Sequence, residues 1–166
     1  TATSLRGYGL YTRIAKESGS FRWESSLNVR SPGFENNDFA FLSRADLIWM
    51  HGNLQYRWRP PNKTFRWLQP TLGVQQRLTF DGDRTDAQNH SSSYMELPSY
   101  WEISLFARWR PAVMDDRRTR GGPLVRNAGS AVIAPWIGTD DRKKIRFTFN
   151  PEYAWTTDGG SFVGLS

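Results

Sequence analysis

Apolar and polar side chains alternate one by one through most of this 166-residue chain, a period that admits little besides β-structure. In residues 21–30, Phe21, Trp23, Leu27 and Val29 fall on one face, with Arg22, Glu24, Ser26, Asn28 and Arg30 on the other. Residues 43–59 set Ile48, Met50, Leu54, Tyr56 and Trp58 against His51, Asn53, Gln55, Arg57 and Arg59. Residues 64–80 set Leu68, Pro70, Leu72, Val74, Leu78 and Phe80 against Gln69, Thr71, Gln75, Arg77 and Thr79. Further on, Met95, Leu97, Trp101, Ile103, Leu105 and Trp109 oppose Glu96, Glu102, Ser104, Arg108 and Arg110. Residues 5–16, 145–155 and a last stretch from Ser161 continue the pattern, while 131–138 is short and mixed. The expectation is an all-β antiparallel, up-and-down fold of about eight strands with no helix.

The second face is the unusual part. It carries arginine on nearly every strand, and a soluble core has no use for such a surface. The stretches 43–59 and 64–80 also outrun the usual strand of about five or six residues. Aromatics gather toward strand ends at Tyr56, Trp58, Phe80, Trp101, Trp109, Tyr153 and Trp155, as rings do at membrane interfaces. These features favour a β-barrel of outer-membrane type, apolar side chains to lipid and polar ones to a wet lumen. A soluble sandwich, in which the apolar face is the core, has the same periodicity and stays open as the alternative.

Connections test the idea only in part. The joins at 17–20 and 60–63 read as short, and 31–42 and 81–92 as long, matching the alternation of turns and loops in such barrels. The stretch 111–129 and the short turn near 140 break that parity.

Composition narrows the class. No apolar run is long enough for a membrane helix. With no cysteine there is neither a disulfide frame nor a thiolate metal site. Net charge is +6, but the arginines are dispersed and form no run, which argues against nucleic acid. The chain opens on "TATSLRGYG" and stops within "SFVGLS", and is read as a single barrel segment, 1–166, cut from a larger barrel domain.

Candidate chemistry is sparse. Asp81, Asp83 and Asp86 in "DGDRTD" could offer oxygen ligands to a hard cation, without the terminal glutamate of an EF-hand; Asp-Gly is equally a turn pair. His51 and His90 lack metal-ligand spacing, so neither a metal nor a cofactor is expected. Glu24, Glu96, Glu102 and Glu152 could supply a carboxylate pair for glycoside hydrolysis, but each neighbours arginine, and charge pairing is the simpler reading. The sequons "NKT" and "NHS" are read as chance matches.

The segments "LRGYG" (5–9), "NVRSPGFENNDFAFLSRAD" (28–46), "FDGDRTD" (80–86), "DDRRTRGGP" (115–123) and "TDDRKK" (139–144) together resemble one bacterial envelope family. In it, an N-terminal module similar to family-9 carbohydrate-binding modules precedes a C-terminal barrel domain of unknown function. The resemblance implies an outer-membrane barrel and places this chain in the C-terminal domain. The motifs cover no part of the sugar-binding module, so no sugar-binding or catalytic residue is carried over.

Three functions follow as expectations. The first is a non-enzymatic pore, transporter or envelope scaffold in the bacterial outer membrane, in contact with lipid. Its lumen would be lined by Arg13, Arg22, Arg30, Arg57, Arg59, Arg77, Arg108 and Arg110 and would attract anionic solutes or glycans. The second is a membrane-anchored protein that hydrolyses or binds glycans. The third is a soluble β-protein binding polyanions.

Overall fold

The computed structural model describes residues 6–35, 44–59, 63–115, 118–119 and 122–165, and all its regular structure is β. The strands are β1 (Gly9–Lys16), β2 (Phe21–Arg30), β3 (Leu47–Tyr56), β4 (Trp67–Leu78), β5 (Arg84–Glu96) and β6 (Glu102–Arg110). After these come β7 (Val113–Asp115), β8 (Val125–Asn127), β9 (Ser130–Gly138), β10 (Thr148–Phe149), β11 (Pro151–Thr156) and β12 (Ser161–Leu165). Ten of them form one antiparallel meander, β1-β2-β3-β4-β5-β6-β9-β11-β12, with β10 beside β9. The β7–β8 pair is a separate hairpin inserted between β6 and β9.

The sheet is open. Among the described residues β1 and β12 each keep one unpaired edge, so the all-β antiparallel expectation holds without a closed barrel. The strand count exceeds the expected eight because β7, β8 and β10 add short strands, and because residues 84–92, expected within the 81–92 loop, belong to β5. That strand, RTDAQNHSSSYME, is polar on both faces and carries no alternation. It is held by ladders to β4 and β6, so its neighbours supply what its own pattern lacks.

The extra strand also repairs the parity of connections. The joins 17–20, 57–66, 97–101 and 139–147 share one rim of the sheet. The joins 31–46, 79–83, 111–129 and 157–160 share the opposite rim. The stretches 43–59 and 64–80 shorten to strands of 10 and 12 residues, because Asp46 adopts a left-handed turn conformation and pairing beyond Tyr56 dwindles to one Trp58↔Leu68 bridge. The stretch 95–109 divides at Tyr100, whose φ of 63° turns the chain from β5 into β6.

Register places side chains on faces, since direct partners point the same way. One row runs Trp23↔Leu54↔Leu72↔Ser91↔Ala107↔Ile133↔Tyr153↔Val163. A parallel row on the other face runs Glu24↔Asn53↔Gly73↔His90↔Arg108 before turning apolar at Val132. From β2 to β4 and again at β6 the division is largely kept, while β5 is polar on both faces; at β9 both faces are apolar, which accounts for its mixed pattern.

Exposure runs opposite to a soluble fold. On β3 and β4 the residues facing outward are mostly apolar, Gln76 excepted: Leu54 is 49%, Leu72 59% and Val74 54% exposed. Their polar neighbours His51, Asn53, Gln55, Thr71, Gln75 and Arg77 are all half-buried. Among the described residues the buried apolar set is Leu47, Ala87, Ala131 and Val132, and no large side chain is fully buried. Beyond sheet neighbours, the main packing contact among the described strands is between β5 and β7.

Candidate functional site: the basic polar face

Parity along each strand, carried through the register, brings Arg13, Arg22, Arg30, Arg77, Arg108 and Arg110 onto the same face as Glu24 and His51. Arg57 and Arg59 continue that parity just past the end of β3, on the first rim.

Part of this charge is paired. Arg13 Nη2 binds Glu24 at 2.8 Å and Glu17 at 2.9 Å, and the other Glu24 oxygen lies 3.5 Å from His51 Nδ1. Arg77 stands 3.9 Å from Asp86, which also accepts a hydrogen bond from Gln75 Nε2 at 3.0 Å. Arg110 donates to Gln88 at 3.0 Å, and Arg30 to the Arg44 carbonyl at 3.2 Å. Asn53 Oδ1, His90 Nδ1 and Arg108 Nε, all in the polar row, have no hydrogen-bond partner within the described protein. Sheltered polar atoms of this kind require water or solute. Gly73 is needed in that row because the His90 ring lies over its α-carbon, where a Cβ would overlap it.

Glu96 and Glu102, two of the candidate carboxylates, are direct cross-strand partners. Each is engaged: Glu96 by Arg66 at 3.1 Å, Glu102 by Tyr94 Oη at 2.7 Å and Arg146 at 2.8 Å. Basic side chains thus offset the repulsion of two like charges placed opposite each other. Glu24 lies three strands away from this pair and Glu152 on β11.

Beside them the first rim carries a cluster that alternation gives no means of finding. The guanidiniums of Arg66 and Arg142 both stack on the Tyr100 ring, their central carbons 3.7 and 3.0 Å from its centroid. Arg142 also makes a bidentate pair with Asp140, both bonds 2.8 Å. Hydrogen bonds from the Arg142 side chain hold the Asp140 carboxyl down at about 2, and the same bonds raise the Arg142 guanidinium. On the opposite rim, a hydrogen bond from Thr156 lowers Asp158 below its ordinary value.

Two depressions open on the polar face near the β1–β2 turn. The larger, about 320 Å³, is lined by Arg13, Glu17, Arg22, Glu24, Asn53 and Gln55 among others. The smaller, about 240 Å³, is lined by Gly19, Ser20, Arg22, Arg57 and Arg59. Burial, and then the charges of Arg22 and Arg59, hold the Arg57 guanidinium below its ordinary value.

The aspartates of "DGDRTD" do not converge. Asp83 closes the β4–β5 turn by backbone and Thr79 hydrogen bonds, and Asp86 pairs across the ladder with Arg77 of β4. Among the described residues no group of three His, Cys, Asp or Glu side chains could hold a metal ion. Most of the long join expected at 31–42, and part of "DDRRTRGGP", lie outside the described residues.

Comparison with known families matches residues 1–163 to a domain of unknown function, DUF5916. No curated protein and no solved structure matches the chain.

Proposed function

The chain belongs to this family of unknown function, and from that premise we propose that it forms part of the wall of a bacterial outer-membrane β-barrel. Its role there is a non-enzymatic one, a pore, transporter or envelope scaffold whose basic polar face borders water. The observation that carries the reading is the inverted exposure: Leu54, Leu72 and Val74 face outward while His51, Gln75 and Arg77 are sheltered. An exposed apolar face this extensive is unfavourable in water and favourable in hydrocarbon. Strands of 10, 12 and 13 residues in β3, β4 and β5 meet the length that a tilted span of about nine to eleven residues requires.

Aromatic placement supports the same reading. Phe21, Tyr56, Trp58 and Trp101 stand at the first rim and Tyr8, Phe80 and Trp109 at the second, all exposed. Two such bands suit the two interfaces of a bilayer. The engaged glutamates and the unpartnered Asn53, His90 and Arg108 atoms suit a hydrated, charge-paired lumen better than a hydrolytic site.

The test exploits the absence of native cysteine. A polarity-sensitive fluorophore is attached to Leu72→Cys or Gln75→Cys and the protein is refolded into lipid vesicles. The Leu72→Cys label shifts to the blue and is quenched by brominated lipid, while the Gln75→Cys label reports water. Identical aqueous spectra at both sites, with the protein remaining soluble without detergent, overturn the proposal.

A further inference from the structure

We propose that Arg22, Arg57 and Arg59 form a binding site for a phosphoryl dianion at the first rim of the polar face. Their pocket, about 240 Å³, is completed by Gly19 and Ser20 of the β1–β2 turn and contains no carboxylate. It does not depend on the lipid-facing reading, because binding to this pocket and partition into lipid are measured separately.

Three observations converge on it. The first is how the cluster is built. Arg22↔Gln55 pairing in the β2–β3 ladder, with the Arg57 N–H donating to the Ser20 carbonyl at 2.7 Å, holds Arg22 and Arg57 beside the same turn. The backbone ladder thus imposes proximity on like charges, where free side chains would spread apart.

The second is what the guanidiniums leave unused. Arg22 donates through Nε to the Gly19 carbonyl at 3.1 Å, and Arg57 through Nε to Gln55 Oε1 at 2.7 Å. Those bonds orient each side chain and occupy only one of its five N–H donors. Among the described residues neither makes an ion pair, and Arg59 makes no hydrogen bond.

The third is the contrast with the adjoining cleft. There Arg13 takes both nearby carboxylates, Glu17 and Glu24, and leaves none for Arg22. Elsewhere the ion pairs Arg77–Asp86, Arg66–Glu96 and Arg146–Glu102 offset part of the charge. Three uncompensated guanidiniums around one concavity are complementary to a ligand with several acceptor oxygens and more than one negative charge. Planar guanidiniums match phosphoryl oxygens in bidentate fashion better than they match a monovalent ion.

The phosphoryl group could belong to a soluble phosphate or to a lipid headgroup at the rim, and the experiment separates the two. The full chain, folded in a zwitterionic detergent, is titrated with inorganic phosphate by calorimetry at pH 8 and pH 5. In parallel it is floated with vesicles of phosphatidylcholine alone or with phosphatidic acid added.

Saturable phosphate binding that weakens at pH 5, as the dianion is protonated, and about tenfold or more in Arg57→Gln identifies a site open to soluble phosphates. Flotation greater with phosphatidic acid than with phosphatidylcholine alone, the excess lost in Arg57→Gln, without phosphate binding, identifies a headgroup site. Arg59→Gln repeats each arm without removing any native hydrogen bond, so a folding defect cannot imitate the result. Arg126→Gln, on the distant β8, is the control for net charge. No saturable phosphate binding together with no preference for phosphatidic acid overturns the proposal, as does wild-type binding in both Arg57→Gln and Arg59→Gln.

Discussion

Gly7 and Gly33 stand with each α-carbon against the other segment's backbone, leaving no room for a methyl group on either. A Cβ on Gly33 would overlap the Arg6 carbonyl, and one on Gly7 would overlap the peptide joining Gly33 to Phe34. The contact is fastened by Ser31, which is 6% exposed: its Oγ accepts the Tyr8 N–H at 2.9 Å, and its own N–H donates to the Tyr8 carbonyl at 3.0 Å. Gly33→Ala should therefore cost about 1–3 kcal/mol, the usual range for overpacking. Gly19→Ala meets no neighbouring atom and is strained only by its φ of 80°. Urea unfolding of the two variants in detergent gives the comparison, and equal midpoints would remove the close approach as a determinant of stability.

The two faces of β4 should answer oppositely to the same charge. Leu72→Arg places a guanidinium on the apolar face and should cost about 2–4 kcal/mol in a bilayer. Gln75→Arg, on the face that already holds Arg13 and Arg77, should change stability by under about 0.5 kcal/mol. Equilibrium folding into thin phosphatidylcholine vesicles measures both values.

Asp140 gives an acid limb to stability at the first rim. Its carboxyl is lowered from the ordinary 3.8 to about 2, chiefly by hydrogen bonds from the Arg142 side chain. A folded-state value below the unfolded one means that the contribution is complete above the ordinary range and is lost as pH falls through it. Acid titration by tryptophan fluorescence should show a component between pH 3.8 and about 2 in the wild type that Asp140→Asn lacks. An unchanged profile would show that the pair contributes nothing.

Tyr100 combines a left-handed backbone with a ring held between Arg66 and Arg142. Asparagine accepts that backbone readily but has no ring. Tyr100→Asn should thus lose the stacking alone, about 1–2 kcal/mol for two partly exposed cation–π contacts. Arg142→Lys, keeping the charge without the planar fork, should lose part of the same energy. Thermal unfolding of the single and double variants reads the coupling, and strict additivity would dissolve the proposed sandwich.

Much of the fold is legible in the residues because β2, β3 and β4 spell out the pleat one side chain at a time. Phe21, Trp23, Leu27 and Val29 need no partner to declare their face. β5 is silent for the opposite reason: Ser91, Ser92 and Ser93 are indifferent to face, and only Leu72 and Ala107 on either side define where Ser91 points. The one-sided arginines can be read from parity within each strand. The grouping of Arg22 with Arg57 and Arg59 cannot, since it depends on which residue of β3 lies opposite Arg22. Tyr100 is hidden more deeply still, clasped by loops that reach the same rim from opposite sides of the sequence.

The meander order keeps most strand pairings local in sequence. Up to β6, every strand's partner is its immediate predecessor, so most ladders close short loops at small entropic cost. Only the β2–β3 and β6–β9 joins span more than a dozen residues. In the second of these the chain solves its own closure problem: β7 and β8 zip together, pairing Val113 with Asn127, and draw the end of β6 toward the start of β9. The inserted hairpin is then a clasp that keeps the start of β9 within reach of the edge of β6.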